Sequence, residues 1–156
     1  MNLTRINRRV NKEVNSYWLS DYDSSTHKER EFTKYIGFDI LDRSIFFESL
    51  VNNYAIYIKI TFSKEYPFRP PRVWVNNYYY KNLLRIDSRW TLKYLNKTCI
   101  CCSSILCNWC VSYGCKEIIN EIRKVLDLKL RINEIKLSRQ VVKQKIGTYV
   151  PVEEFL

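Results

Sequence analysis

The residues of this sequence that are most able to carry out chemistry are six cysteines, and all of them lie in one stretch, TCICCSSILCNWCVSYGC. A disulfide framework gains stability by closing long loops of the unfolded chain, so bridges confined to this stretch would contribute little. The pattern therefore predicts reduced cysteines in an intracellular compartment, where they serve packing, metal binding or nucleophilic chemistry. They are Cys99, Cys101, Cys102, Cys107, Cys110 and Cys115.

Four of these cysteines form two CxxC pairs that could hold zinc tetrahedrally, Cys99 with Cys102 and Cys107 with Cys110. Only four residues separate the pairs, whereas zinc ribbons commonly place about 15–20 between them. So short a linker makes it hard to fold the chain around an ion. The single histidine, His27, also leaves little room for a histidine-based metal site. We therefore expect no cofactor, and zinc on these four cysteines is the alternative.

The rest of the chain predicts one α+β domain, 1–156, in which a sheet and helices position the cysteine stretch. An apolar stripe of Leu3, Ile6, Val10 and Val14 predicts a helix over 2–15. Short connections between apolar stretches predict a four-stranded antiparallel meander. Its strands are expected at 33–41, 44–51, 54–62 and the end of the proline-rich segment 64–77.

The sequence after the cysteines predicts C-terminal helices. The spacing of five apolar residues indicates an amphipathic helix that begins near Lys116, namely Ile118, Ile119, Ile122, Val125 and Leu126. The stretch LKLRI, 128–132, alternates in the manner of a strand. Beyond it, Ile135, Val142 and Ile146 predict another helix.

Composition and charge exclude several classes of protein. With 46% hydrophobic and 27% charged residues the 156-residue chain is not typical of disorder, and its apolar runs are shorter than the roughly 20 residues of a membrane span. No secretory leader is expected. Twenty-six basic and sixteen acidic residues give +10, which suits an acidic partner. Nucleic-acid binding is disfavoured because many of the twelve tyrosines fall in strand patterns and no recognition motif occurs.

Taken in order, these features resemble the ubiquitin-conjugating enzymes. The opening LTRINRRVNKEV is similar to the first helix of that family, and YPFRPPRV at 66–73 matches its YPxxPPxV element. The pair Ile100–Cys101, followed eight residues later by Trp109, matches the family's spacing of an Ile-Cys pair and a tryptophan. The resemblance covers roughly residues 2–126 and implies the fold of that family.

The resemblance implies that Cys101 accepts ubiquitin, or a ubiquitin-like protein, as a thioester from an activating enzyme. Cys101 would then pass it to a substrate lysine or to a ligase of the RING or HECT type. Cys99 and Cys102 are the alternative nucleophiles. This chemistry needs no histidine, because the incoming acyl group is already activated and a thiolate is a good nucleophile and leaving group.

The resemblance also implies binding surfaces. It assigns ligase contacts to Phe68, with core packing between the prolines as the alternative, and to the loop of Trp109 and Val111. The basic face of the first helix, Arg5, Arg8 and Arg9, would meet the activating enzyme and the ligase, or else is a solvated face.

The chain departs from the family pattern close to the cysteine. The His-Pro-Asn triplet that normally precedes it is absent. Its asparagine donates to the oxyanion formed during lysine attack, and loss of such a donor costs about a hundredfold in rate. Asn96, in a different register, is the candidate substitute, and a backbone amide or Lys97 is the alternative donor. The segment 76–98 is predicted to be an insertion, and 127–156 diverges from the family's last helices.

These departures favour an alternative, a catalytically inactive protein of the same fold that serves as a scaffold or binding module. The abundance of Asn, Lys, Ile and Tyr fits an A+T-rich genome, such as that of a large DNA virus. The chain would then be a divergent, viral member of the family. We would expect it in the cytoplasm or nucleus of the host cell, or in the virion.

Overall fold

A five-stranded antiparallel sheet forms the centre of the molecule, and helices precede and follow it. The computed structural model describes residues 3–15, 33–85, 89–97, 99–149 and 151, with the backbone alone at 3–7 and 90. This is the α+β class that the sequence predicts. The elements are α1 (Leu3–Val14), β1 (Thr33–Asp39), β2 (Ser44–Val51), β3 (Tyr54–Thr61), β4 (Arg72–Val75), β5 (Tyr78–Tyr79), α2 (Tyr80–Leu83), α3 (Arg89–Tyr94) and α4 (Cys115–Ile146).

The strands pair in chain order as a meander, and the sheet has one strand more than the four predicted. Two of its hairpins use the same sequence, Val-Asn-Asn-Tyr, at 51–54 and at 75–78. All four asparagines in these turns have positive φ, between 47° and 68°. Two-residue turns with positive φ match the twist of paired strands, and asparagine adopts that conformation more readily than most residues. The second pair creates β5, which lies inside the predicted insertion.

One face of the sheet lies in the hydrophobic core. Ile45, Ile60 and Val73 form one row of neighbours across three strands, and all are buried. Every second residue from Ile56 to Phe62 is buried, whereas Tyr54 is exposed at the hairpin. The same core cluster includes residues of both long helices, Val10, Val14, Ile118, Ile119 and Ile122.

The prediction of a strand and a separate helix after residue 127 is wrong, because α4 runs unbroken from Cys115 to Ile146. No glycine or proline interrupts this stretch, and its Leu, Lys and Arg residues favour a helix. Leu128 and Ile132 are four residues apart and so share one helix face, which makes this short stretch compatible with a helix as well as with a strand. The helix ends at Gly147, whose φ of 79° is the left-handed conformation typical of a helix end.

The N-terminal helix and the predicted insertion are both ordered in the described residues. Helix α1 spans Leu3–Val14, close to the predicted 2–15, with Val10 and Val14 buried. The segment 76–98 contributes β5, α2 and α3, and buries Tyr80 and Leu84. Among the helices of the described ranges, none combines the length and apolar character needed to cross a bilayer.

The two ends of α4 should differ in their contribution to stability. Ile122 is fully buried, whereas Ile146 is 59% exposed at the end of the same helix. We expect Ile122→Ala to lower the free energy of unfolding by about 2–5 kcal/mol, because it leaves a cavity in the core. Ile146→Ala should change it by less than about 0.5 kcal/mol. Urea unfolding followed by circular dichroism measures both, and equal losses would contradict this packing.

Candidate functional site

Cys101 begins a short 3-10 turn, Cys101–Ser103, at the border of the hydrophobic core. Ile100, directly before it, is buried, and Cys101 is half-buried against the core cluster. The backbone N–H of Ser104 donates to the carbonyl of Cys101 at 3.2 Å, which closes the turn. The hydroxyl of Ser103 donates to the carbonyl of Ile100 at 3.0 Å. The turn therefore fixes Cys101 between core and solvent.

Two side chains outside the sequence predictions brace this turn. The Nδ2 group of Asn108 donates to the carbonyls of Cys102 at 2.7 Å and Ser104 at 3.2 Å. The carboxylate of Glu121, on α4, accepts from the Ser104 hydroxyl and from the N–H of Ile105, each at 3.2 Å. Burial raises the pKa of Glu121, against the lowering effect of these two hydrogen bonds. An acidic residue between Ile118 and Ile122 was the one available hint of an inward contact.

The turn brings three sulfurs together. The Sγ atoms of Cys99, Cys101 and Cys102 all lie within 4.8 Å of one another, and those of Cys101 and Cys102 are 3.9 Å apart. Hydrogen bonds with the thiol of Cys99, and then with that of Cys101, raise the pKa of Cys102 to about 11. Cys102 is exposed, but it therefore stays protonated at neutral pH, which argues against it as the nucleophile.

The other three cysteines lie outside this thiol cluster. Among the residues that the structure describes, the group that could share one ion contains neither Cys107 nor Cys110, so the two CxxC pairs do not converge. Cys110 is exposed, and its pKa is lowered by hydrogen bonds with the hydroxyl of Ser112, 3.1 Å away, and with its backbone. Burial, with the nearby Glu13, raises the pKa of Cys115 well above its ordinary value, so Cys115 is an inert thiol.

Trp109 joins the cysteine loop to the proline-rich turn. Its indole Nε1 donates to the carbonyl of Pro67 at 2.7 Å, and its ring packs against Tyr66 and Tyr113. Phe68, in the same turn, is 74% exposed, so it is not packed between the prolines. Val111, two residues after Trp109, is 47% exposed. Two exposed apolar side chains thus lie on two loops that one hydrogen bond holds together.

The carboxylate of Glu13 ties α1 to both loops. One oxygen accepts from the Nε of Arg9 at 3.1 Å and from the hydroxyl of Tyr66 at 3.3 Å, and the other accepts from the N–H of Cys115 at 3.0 Å. Burial and the charge of Glu13 raise the pKa of Tyr66, so its phenol remains a donor. The guanidinium of Arg9 also donates to the carbonyls of Val111 and Tyr113. Arg9 therefore has a structural use inside the molecule.

The remaining residues predicted from the sequence take no part in these hydrogen bonds among the described residues. Asn96 is exposed just after α3, with a φ of 51°, and its N–H donates to the carbonyl of Lys93. Within the described residues, no hydrogen bond joins Asn96 to the Cys101 turn. Arg8 is exposed on α1. The side chain of Arg5 and all of His27 lie outside the described residues.

Comparisons of the chain with protein-family models, with curated proteins and with solved structures find no match. The resemblance to ubiquitin-conjugating enzymes stays a prediction that rests on the residues of this sequence.

The thiols of Cys102 and Cys110 should ionise at different pH values, although both are exposed. We expect iodoacetamide to modify Cys110 at a lower pH than Cys102, whose reaction should reach half its maximal rate near pH 11. The reason is that only the thiolate reacts. Peptide mass spectrometry after timed labelling from about pH 7 upwards measures each rate separately.

Ser112→Ala is the matched variant for that measurement. Removing the hydroxyl that stabilises the Cys110 thiolate should move Cys110 labelling to higher pH and leave Cys102 labelling unchanged. Labelling of Cys102 at the same pH as Cys110 in the unmodified chain would contradict the hydrogen-bonded thiol cluster.

Substitution of Glu13 should loosen the junction of α1 with the two loops. We expect Glu13→Gln to lower the free energy of unfolding by about 1–3 kcal/mol, because an amide nitrogen cannot accept the bonds that the carboxylate oxygen receives. Glu134→Gln, at an exposed position of α4, is the control and should change it by less than about 0.5 kcal/mol. Urea denaturation compares the two, and an equal effect of both would show that the Glu13 contacts add nothing to stability.

Proposed function

We propose that this protein is a divergent ubiquitin-conjugating enzyme and that Cys101 carries ubiquitin, or a ubiquitin-like protein, as a thioester. The observation that carries the proposal is the hydrogen bond from Trp109 to Pro67. The two residues are 42 positions apart, and each belongs to one of the two motifs behind the resemblance. Their contact places the YPFRPP turn beside the loop that follows the cysteine.

The position of Cys101 supports a role in acyl transfer. It is half-buried at the start of a braced turn, so its backbone is held in place and its thiol has a path to solvent. The Cys101 thiolate would attack the carbonyl carbon of the thioester on the activating enzyme. A new C–S bond forms, the old one breaks, and the enzyme's thiolate leaves. A substrate amine, which gives up a proton to solvent, or the thiolate of a ligase cysteine then attacks the same carbon, and Cys101 leaves as thiolate.

Exposed apolar side chains near the cysteine loop support contact with a ligase. Phe68 and Val111 lie on the two loops that Trp109 joins, and an exposed aromatic is typical of the centre of a protein interface. The basic face of α1 would supply the contact with the activating enzyme. Arg8 is exposed and serves that role better than Arg9, whose guanidinium is bound to the protein's own carbonyls.

A catalytically inactive protein of the same fold is the second candidate, and the position of Asn96 favours it. Asn96 is exposed at the end of α3 and has a backbone conformation suited to ending a helix. A structural use explains this residue without a part in catalysis. Without an oxyanion donor, direct attack by a lysine would be slower by about a hundredfold.

Loading with ubiquitin tests the proposal. The reduced protein is incubated with a ubiquitin-activating enzyme, ATP and ubiquitin, and the products are separated with and without thiol reductant. We expect an adduct that reductant removes, because a thioester exchanges with free thiol. Cys101→Ala should abolish it. Cys101→Ser should give an adduct that resists reductant and is cleaved by mild alkali, because an oxygen ester replaces the thioester.

Cys107→Ala is the matched control, since Cys107 is exposed on the same loop and outside the thiol cluster, and it should load normally. An adduct that persists in Cys101→Ala and disappears in Cys110→Ala would move the reaction to Cys110. If no variant and no unmodified chain forms an adduct, the inactive scaffold is the better description.

A further inference from the structure

The thiol cluster offers metal ligands as well as a nucleophile. We propose that Cys99, Cys101 and Cys102 together bind one soft d10 metal ion, Cu(I) or Zn(II), through three thiolates. This site differs from the two CxxC pairs that the sequence suggests, because it replaces Cys107 and Cys110 by Cys101. It goes beyond the proposed function and does not depend on it.

The separations of the sulfurs fit a single ion. With a metal–sulfur bond of about 2.3 Å, three thiolates around one ion lie about 4.0 Å apart in trigonal geometry and about 3.8 Å apart in tetrahedral geometry. The Sγ atoms of Cys101 and Cys102 are 3.9 Å apart, and no pair in the cluster exceeds 4.8 Å. An ion can therefore be bound by rotations of the side chains, with little movement of the backbone.

The backbone around the cluster is already ordered. Ile100 is buried between the first and second ligands, and the side chain of Asn108 holds the carbonyl of Cys102. Three ligands from four consecutive residues thus stand on a braced turn. Binding would cost little conformational entropy, which favours tight binding.

The chemistry of the ligands selects a soft ion. Thiolates prefer Cu(I) and Zn(II) to Mg(II) or Ca(II), whose ligands are oxygens. Binding replaces the hydrogen bonds that the three thiols now share with three metal–sulfur bonds, and releases the thiol protons to solvent. Cys102 is exposed, so the ion can enter from solvent, and a zinc ion would take water as its fourth ligand.

The site would also control loading. An ion bound to Cys101 occupies the sulfur lone pair that must attack the activated carbonyl, so a metal-bound chain should not accept ubiquitin. This consequence alone rests on the proposed function.

Competition with chromophoric chelators measures the site directly. The reduced, metal-free chain is titrated under anaerobic conditions with Cu(I) and, separately, with Zn(II), and the reactive thiols are counted with a chromogenic disulfide before and after. We expect one ion per chain and protection of three thiols. The affinity of the chain for each ion follows from its competition with a chelator of known affinity, and the ion bound more tightly identifies the metal. Failure of both ions to bind, or protection of fewer than three thiols, would overturn the site.

Variants distinguish this site from the two CxxC pairs. Loss of a residue that only hydrogen-bonds to a metal ligand already weakens metal binding by about 10–100-fold. Cys102→Ser and Cys99→Ser each remove a ligand itself and should therefore cost at least about a hundredfold in affinity. Cys107→Ser and Cys110→Ser should bind as the unmodified chain does. Weakening by Cys107→Ser equal to that by Cys102→Ser would replace the proposal with the four-cysteine zinc site. Circular dichroism checks that each variant is folded.

Loading assays separate the two proposals. Cys102→Ser should still form the ubiquitin adduct and should lose the inhibition by metal that the unmodified chain shows. Tight binding of metal without any ubiquitin adduct would support the metal site and contradict the conjugating function. A ubiquitin adduct without metal binding would support the conjugating function and overturn the metal site.

Discussion

The carboxylate of Glu13 is the contact on which the arrangement of the other elements depends. It receives hydrogen bonds from α1, from the proline-rich turn through Tyr66, and from the first residue of α4. Gly114 makes this approach possible, because a Cβ there would lie 2.6 Å from one Glu13 oxygen. The backbone of Gly114 is extended, so the glycine is required for space and not for φ. One carboxylate thus joins three segments that are distant in sequence.

The position of the loop 104–114 depends on that junction. Arg9, held by Glu13, binds the carbonyls of Val111 and Tyr113, and Trp109 binds that of Pro67. At the other end, Glu121 holds Ser104 and Ile105. The loop carries no regular structure of its own, so these side chains take the place of a hydrogen-bonded ladder. Arg9, which the sequence assigned to a binding surface, therefore has a structural role.

Short-range patterns predicted the sheet well, because strand alternation and turn residues act locally. The second strand was predicted at its observed bounds, 44–51. The fifth strand was missed although Asn76 and Asn77 repeat the turn of Asn52 and Asn53, which shows that the signal was present. The break predicted in α4 failed because five alternating residues do not separate strand from helix. The contacts of Glu13, Asn108 and Glu121 depend on packing between distant segments, which no local pattern encodes.

The cysteines show the same limit at the site itself. Spacing paired Cys99 with Cys102 and Cys107 with Cys110, because CxxC is the motif that sequence reveals. The 3-10 turn instead brings the sulfur of Cys101 close to those of Cys99 and Cys102, and it leaves Cys107 and Cys110 outside the cluster. The sulfurs of Cys101 and Cys102 are 3.9 Å apart, and hydrogen bonds with Cys99 and Cys101 raise the pKa of Cys102. A lone acyl acceptor gains nothing from two adjacent thiols, whereas a soft ion needs them, so the cluster is better explained by metal binding than by thioester chemistry alone.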